Sequence, residues 1–498
     1  MTSKVGNFGS SMKYKHLFGL ENPKSHVYYN LKPSLNNTEN NGIAANDKYF
    51  AIAYDGGGGP VYVSDLDNYS KVEPDCNVVN GHKASVIDIN FSPFKSSIMA
   101  TASTDCTVNL WDLNGTNQSY GGGDAFYTHI HGHSLRCIAF SPTVDHMLVT
   151  CAMDQKTRIF DIEKGKESTP VSSINNEAVV NNISFNYDGT LLVHACKDKC
   201  LRIIDPRVAG VIAMKTHDNA RLGINVRSSW CSRQQNVDVI LTTSSMSGQR
   251  LLQLWDPRKL EIDPICSKIV DSESSALFPM YDESSGICFV AGKGDSIIRY
   301  YELNFLEEQS NFIDANIEKA NEFKTDNTQP IAGICLLPKK LCNVREVEVT
   351  KMLKLTQNAV IPITFTLPRQ KKEFFQDDIY LPIRASIPSI DFNSFMSSTP
   401  GTNIVANYES MKPADMIRLS EKPADMIRTL KTTEFKEKID KAEIEAKERE
   451  NVFAKMAQMA IERQQYHPNL SGGSQPIQGK VDAKIMSESE VADDEWDD

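Results

Sequence analysis

Five times in the first two-thirds of the chain, a turn is followed by a short β-prone run that ends on an aromatic or apolar residue and an acid. The copies are DCTVNLWD at 105–112, DQKTRIFD at 154–161, DKCLRIID at 198–205 and DSIIRYYE at 295–302, with a looser GQRLLQLWD ending at Trp255 and Asp256. The penultimate position recurs at 111, 160, 204, 255 and 301, in steps of 49, 44, 51 and 46. Side chains alternate in character through Thr107–Trp111 and Thr157–Phe160, as strands with unequal faces require. A single small sheet cannot bury both of its faces, so such units must stack radially and close on themselves.

The period is that of WD repeats, about 40–45 residues with loop insertions added. Two further blades can be placed around the five copies. Tyr49–Tyr54, Asp55, four glycines and Val61–Val63 read as a hairpin before them, and Ile331–Leu337 with Val360–Phe365 as strands after them. The expected fold is therefore all-β, a seven-bladed WD-repeat β-propeller with a C-terminal extension, a linker and a short helical tail. Upstream of the first two copies stand Gly81–His82 and Gly132–His133, each before an apolar strand that ends in Phe–Ser–Pro. In WD repeats the His, the turn Asp and the aromatic residue join in a network that locks one blade. The expected structural set is His82 with Asp105 and Trp111, His133 with Asp154, and Asp198, Trp255 and Asp295 in later blades.

Composition narrows the function. No run of 18 or more apolar residues occurs, which argues against a transmembrane helix, and the first residues lack the apolar centre of a secretory signal. Eleven cysteines are scattered without regular pairing, the pattern of free thiols in a reducing compartment, so the cytoplasm is expected. The net charge of −11 is concentrated at one end. Residues 487–498 hold seven acids and no Lys or Arg, which leaves 57 acids against 53 bases elsewhere and gives no reason to expect nucleic acid as a partner. Gly56–Gly59 lacks the Gly–Lys–Ser/Thr ending of a phosphate loop, and His194, Cys196 and Cys200 have no second cluster to complete a metal site. No nucleophile elbow or His–Glu–x–x–His motif is present, so neither catalysis nor a cofactor or metal is expected.

Segments outside the generic repeat are more specific. They are Lys13–Tyr14–Lys15–His16–Leu17–Phe18–Gly19, Gly292–Tyr301, Leu337–Pro338–Lys339–Lys340, and Leu367–Pro368–Arg369 followed by Phe375–Tyr380. In these, and in their order over residues 13–382, the chain resembles the coronins. The resemblance implies a propeller that binds actin filaments, an extension packed against it, a variable linker and a coiled coil, at the actin cytoskeleton and cell cortex, in motility and phagocytosis. It also implies a key basic residue soon after the first segment. Aligning Tyr28 with the family tyrosine places Lys32 there, where Arg is common; a solvated loop lysine is the alternative. Lys keeps the charge but lacks the planar fork of Arg. Lys13 and Lys15, with Lys24 and Arg136, are further basic candidates for the filament contact.

The expected domains are 1–382 for the propeller with its N-terminal strand and packed extension, 383–430 for the linker, 431–466 for a helix and 467–498 for a flexible acidic tail. Lys–Pro–Ala–Asp–Met–Ile–Arg occurs twice, at 412–418 and 422–428, and reads best as a local duplication. Residues 431–466 are free of Gly and Pro, with a heptad seam through Phe435, Ile439, Ala442, Ala446, Arg449, Phe453, Met456 and Ala460. Homo-oligomerisation through this helix would let the protein cross-link filaments. The last residues, Asp493, Asp494, Glu495, Trp496, Asp497 and Asp498, resemble the acidic segment of activators of the Arp complex, the branched-actin nucleator. Trp496 would be the anchor and the acids would steer. The competing class is a WD-repeat scaffold for signalling or membrane trafficking.

Overall fold

The strict alternation of apolar side chains along each strand decides how the sheets stack. In the computed structural model Phe50 and Ile52 point to one neighbouring sheet, while Tyr49, Ala51 and Ala53 point to the other. Likewise Ile287 and Phe289 face one way and Cys288 and Val290 the other. Both faces of every blade are thus buried, and a slip of one residue in register would exchange them. The structure describes residues 12–421, except 36–39, 74–77, 115–124, 168, 209–210, 214–221, 234–236, 274, 309–311 and 326–328.

Seven antiparallel sheets stand around a central axis. Blade 1 comprises Ile43–Ala45, Tyr49–Ala53, Val61–Asp65 and Val78–Val79. Blade 2 runs from Val86–Phe91 to Tyr127–Ile130, blade 3 from Leu135–Phe140 to Ser172–Asn175, and blade 4 from Val180–Phe185 to Val211–Ala213. Blade 5 extends from Ile224–Arg233 to Cys266–Asp271 and blade 6 from Leu277–Asp282 to Phe312–Lys324. Blade 7 takes three strands from the C-terminal side, Gly333–Leu336, Glu348–Leu355 and Ala359–Thr366. Its outer strand is Phe18–Glu21, paired Phe18 to Thr366 and Glu21 to Ile363. Tyr28–Tyr29 continues along the same neighbour. A Cβ on Gly19 would lie 2.9 Å from the rings of Phe323 and Phe365, so glycine lets this strand seat.

Seven apolar clusters fill the seven seams between consecutive blades. Met99 and Trp111 of blade 2 meet Tyr49 and Val63 of blade 1, and Phe160 of blade 3 meets Leu110 of blade 2. Trp230 and Trp255 of blade 5 close on Leu201 of blade 4. The seam between blades 7 and 1 holds Tyr28, Phe50, Leu353 and Val360. Because every seam is filled, the ring is closed.

The loops between second and third strands define an upper face, and those between first and second, or third and fourth, a lower one. Past Leu367 the chain crosses the lower face as a strap. The linker expected from 383 begins instead as part of this strap, which packs as far as residue 421. Ile383–Arg384 pairs with Tyr408–Glu409, and Ser389 donates to the Thr143 carbonyl at 2.8 Å. Helix Phe392–Ser397 is capped by Asp391, which accepts from the Ser394 amide. Phe392 and Phe395 of this helix enter the seam between blades 3 and 4. The return path ends where Phe375 exchanges backbone hydrogen bonds with Ile417 and Leu419. Of the duplicated heptapeptide, the first copy buries Met416 in the seam between blades 6 and 7. The second copy, the helix of 431–466 and the acidic tail with Trp496, Asp493, Asp494, Glu495, Asp497 and Asp498 lie outside the described residues.

Candidate functional site

The blade networks set the rigidity on which any binding face depends. In blade 2 the ring of His82 meets Asp105 Oδ2 at 3.2 Å, Thr107 Oγ1 at 2.9 Å and Thr101 Oγ1 at 2.7 Å, and the Trp111 indole donates to Thr101 at 2.9 Å. In blade 3 the sequence expectation is off by two residues. His131, not His133, is buried, with Nε2 3.2 Å from Thr150 Oγ1 and Nδ1 2.7 Å from Arg158, whose other nitrogen holds Asp154 at 2.7 Å. His133 is exposed. The register explains it: His131 stands 23 residues before Asp154 and four before Leu135, as His82 stands 23 before Asp105 and four before Val86, so Gly132 is the counterpart of Lys83 and not of Gly81.

Further round the ring, arginine replaces histidine. Arg202 holds Asp198 at 2.7 Å and Glu177 at 2.8 Å. Arg250 of blade 5 holds Asp271 at 2.5 Å and reaches Asp295 of blade 6 at 2.9 Å, which ties two blades together. Trp255 keeps the indole bond, to Thr242 at 2.8 Å. The arginines are the residues that the repeat pattern did not single out, although Arg158, Arg202 and Arg299 all stand four residues after the turn Asp.

Burial holds three of these histidines below their ordinary value. For His82 Asp105 opposes it, whereas His131 and His194 are pulled down to about 3 with the charges of Arg158 and Arg202 adding to the effect. A histidine buried neutral is more easily protonated when unfolded, so its contribution is intact above about pH 6.5 and is lost as pH falls. Asp88, whose carboxyl burial pushes up to about 7, works in the opposite sense. Unfolding between pH 6.5 and 5 is therefore expected to take up about two protons, read from denaturation midpoints across pH. His194→Leu should remove close to one of them, and an unchanged slope in that variant would refute the assignment.

The basic candidates fall on opposite faces. The Leu31 amide donates to Asn358 in the upper turn of blade 7 at 2.9 Å, the Asp55 amide donates to the Lys32 carbonyl at 2.7 Å, and Ser34 donates to Ala53 at 2.8 Å. Lys32 is thereby pinned between the upper loops of blades 7 and 1 with its side chain exposed. Tyr29 and Leu35 flank it, 47% and 52% exposed. Lys13 and Lys15 stand at the lower face, where the Tyr14 amide lies 3.4 Å from Glu302. Lys13 donates to the Asp378 carbonyl of the strap and lies over the Tyr14 ring at 5.6 Å. Lys15 is exposed, as is Lys24 in the turn Lys24–His26. Arg136 bonds Asn181 at 3.2 Å and is half-buried. The structure thus does not gather the candidates on one surface.

Comparison with known proteins is consistent with this geometry. Family models described as "WD domain, G-beta repeat" match residues 75–112, 125–161 and 168–205, and "Type of WD40 repeat" matches 360–399. "Domain of unknown function (DUF1899)" matches 7–71, the segment that carries the outer strand of blade 7 and Lys32. Coronin-A of Dictyostelium discoideum is 30% identical over 395 residues, covering 78% of this chain and 83% of that one. Coronin-2A of Homo sapiens is 29% identical, with 78% and 72% covered. Among solved structures, the WD40 domain from Toxoplasma gondii coronin superposes with a TM-score of 0.69 at 28% identity, covering 80% of this chain and 98% of that one.

Proposed function

Since the chain belongs to the coronin family, we propose that its propeller binds actin filaments through the upper face at blades 7 and 1, with Lys32 as the charged contact. The observation that carries this reading is the setting of Lys32. Its backbone is fixed to two blade loops, and Tyr29 and Leu35, three residues before and after it in sequence, are exposed. A basic group held rigidly in a stretch with exposed apolar side chains has the composition of an interface centre, where ordering costs are low before contact. The lower face is covered in part by the strap, which engages Lys13. Co-sedimentation of the full chain with filaments at micromolar actin tests the proposal. A chain that stays in the supernatant would favour the WD-repeat scaffold instead.

On this reading the protein works in the cytoplasm at the actin cytoskeleton and cell cortex. Residues 431–466 supply self-association, so that two or more propellers on one stalk engage neighbouring filaments at raised local concentration. Bundles that pellet at low speed should disappear when 431–466 is deleted. The acidic tail modulates branched nucleation by binding the Arp complex. A peptide of residues 487–498 is expected to bind the purified complex with an affinity that falls at least tenfold on Trp496→Ala and weakens with salt. Equal affinity of the two peptides would remove Trp496 as the anchor.

A further inference from the structure

The heptapeptide Lys–Pro–Ala–Asp–Met–Ile–Arg stands at 412–418 and again ten residues on, at 422–428. The contacts of the first copy are those of a docked peptide. Met416, 3% exposed, enters the seam between blades 6 and 7 in one cluster with Val344, Phe375, Ile379 and Tyr380. The Met416 amide donates to the Pro413 carbonyl at 3.2 Å, which closes a turn just ahead of this anchor. Beyond it the peptide runs parallel to the chain at Phe375. The Phe375 amide donates to the Ile417 carbonyl at 2.9 Å, and the Leu419 amide donates to the Phe375 carbonyl at 2.9 Å. Asp415 pairs with Arg345 at 2.5 Å on the exposed rim. An apolar anchor in a pocket, main-chain bonds to an extended partner and a charge at the rim are the means by which peptides are recognised.

Most of what this seat reads is carried by both copies. Pro413, Asp415, Met416 and Ile417 have their counterparts in Pro423, Asp425, Met426 and Ile427, and Thr429 has the same backbone amide as Leu419. Three contacts lie outside the repeat. Met411 packs against the same cluster, Ser420 bonds Asp377, and Arg418 pairs with Glu421 at 3.2 Å. At the places of Met411, Ser420 and Glu421 the second copy has Glu421, Leu430 and Lys431. It retains the anchor, the main-chain bonds and the rim charge, and lacks only these additions. The first copy is thus the better fit and the second the runner-up. Reach is no obstacle. Tyr408–Glu409 is fixed to Ile383–Arg384, and a slip to the second copy only lengthens the connection from there, at an entropic cost that grows with the logarithm of its length.

We propose that the seam between blades 6 and 7 is a binding site for this heptapeptide and that the copy at 422–428 is its alternative occupant, so that the strap has two registers ten residues apart. In the second register those ten residues pass into the connection between Tyr408–Glu409 and the seat, and the strap slackens on the lower face without any blade separating from the next.

Hydrogen exchange at the Phe375 amide of the full chain tests the proposal, because that amide donates to whichever copy is seated. Met416→Asp is expected to lower its protection by no more than about tenfold, and Met426→Asp to leave it unchanged. The two substitutions together should lower it by about a hundredfold or more, well beyond the product of the single effects. Deletion of 412–421 sets the second copy directly after Met411 and brings no charge into the seam. Protection in that variant should stay within a few-fold of the wild type. If Met416→Asp alone, or the deletion, strips the amide as fully as the double substitution does, the seat accepts one copy only and the proposal falls. Protection in Met416→Asp that rises with protein concentration would mean an occupant from a second molecule, and overturns the two registers.

Discussion

Replacing Asp282 by Ala is expected to lower the free energy of unfolding by about 3–5 kcal/mol, the cost of stripping one partner from a buried ion pair. Asp282 stands at the lower end of the first strand of blade 6. Its Oδ2 is 2.5 Å from Lys339 Nζ, 2.9 Å from the Thr350 hydroxyl and 2.8 Å from that of Ser285. Lys339 and Thr350 belong to blade 7, so one carboxylate binds two blades across a seam. Removing it leaves an ammonium that is 10% exposed with no countercharge. Asp282→Asn keeps the volume and should still lose most of this stability. Pairing Asp282→Asn with Lys339→Met should restore much of it, since a buried ion pair exchanged for apolar neighbours is often neutral. Denaturant midpoints at constant m measure all three. A loss below about 1 kcal/mol in the single variants would show that the contact is not a keystone.

The same group predicts an acid sensitivity. Burial alone would raise the Asp282 carboxyl, but the Lys339 charge and the two hydroxyls outweigh it and hold it below the ordinary carboxylate value. The folded state therefore gains from its ionisation above about pH 4, and that gain disappears as pH drops through the folded value. The loss begins below about pH 4 and adds to that of the buried histidines, which runs from about pH 6.5 down to about 3.

Lys32→Glu is expected to weaken filament binding by roughly tenfold to a hundredfold, about 1.4–2.8 kcal/mol, because it sets like charges against each other at the centre of the contact. Lys32→Arg should bind at least as well as the wild type, since the planar fork adds a second hydrogen bond to a carboxylate. Raising salt should narrow the gap between wild type and Lys32→Glu. Lys15→Glu, on the opposite face, provides the comparison. Were it to cost as much as Lys32→Glu, filaments would not dock on the upper face.

The repeats were legible because each carries a turn Asp and an aromatic or apolar terminus at fixed spacing, which is what a third strand needs to turn and then pack in a seam. Blade 7 was readable only in outline. Its third strand Ala359–Thr366 has no turn Asp before it, and the outer strand that completes the blade lies more than 300 residues away in sequence. The strap escaped notice for another reason. Past 382 its Pro, Ser and Asn content reads as linker, and the large apolar side chains it buries there, Ile383, Phe392, Phe395 and Met416, are too sparse to show a period. For His131 the Gly–His dipeptide pointed two residues too far on, although the count back from the turn Asp, 23 residues in both blades, marks His131 as the counterpart of His82. Of the candidate site, the charge at Lys32 could be read in sequence. That Lys13 and Lys15 lie on the other side could not, since Phe18–Glu21 and then Tyr28–Tyr29 together run the height of the blade between them and Lys32.

The pairing of Phe18 with Thr366 has a consequence for biogenesis. A ribosome adds about 5–20 residues per second, so the strand that seals the circle leaves the exit tunnel roughly 20–70 s before its mate is made. During that interval the nascent chain holds an unsealed stack whose first and last sheets both show bare apolar sides, the surfaces that holdase chaperones recognise.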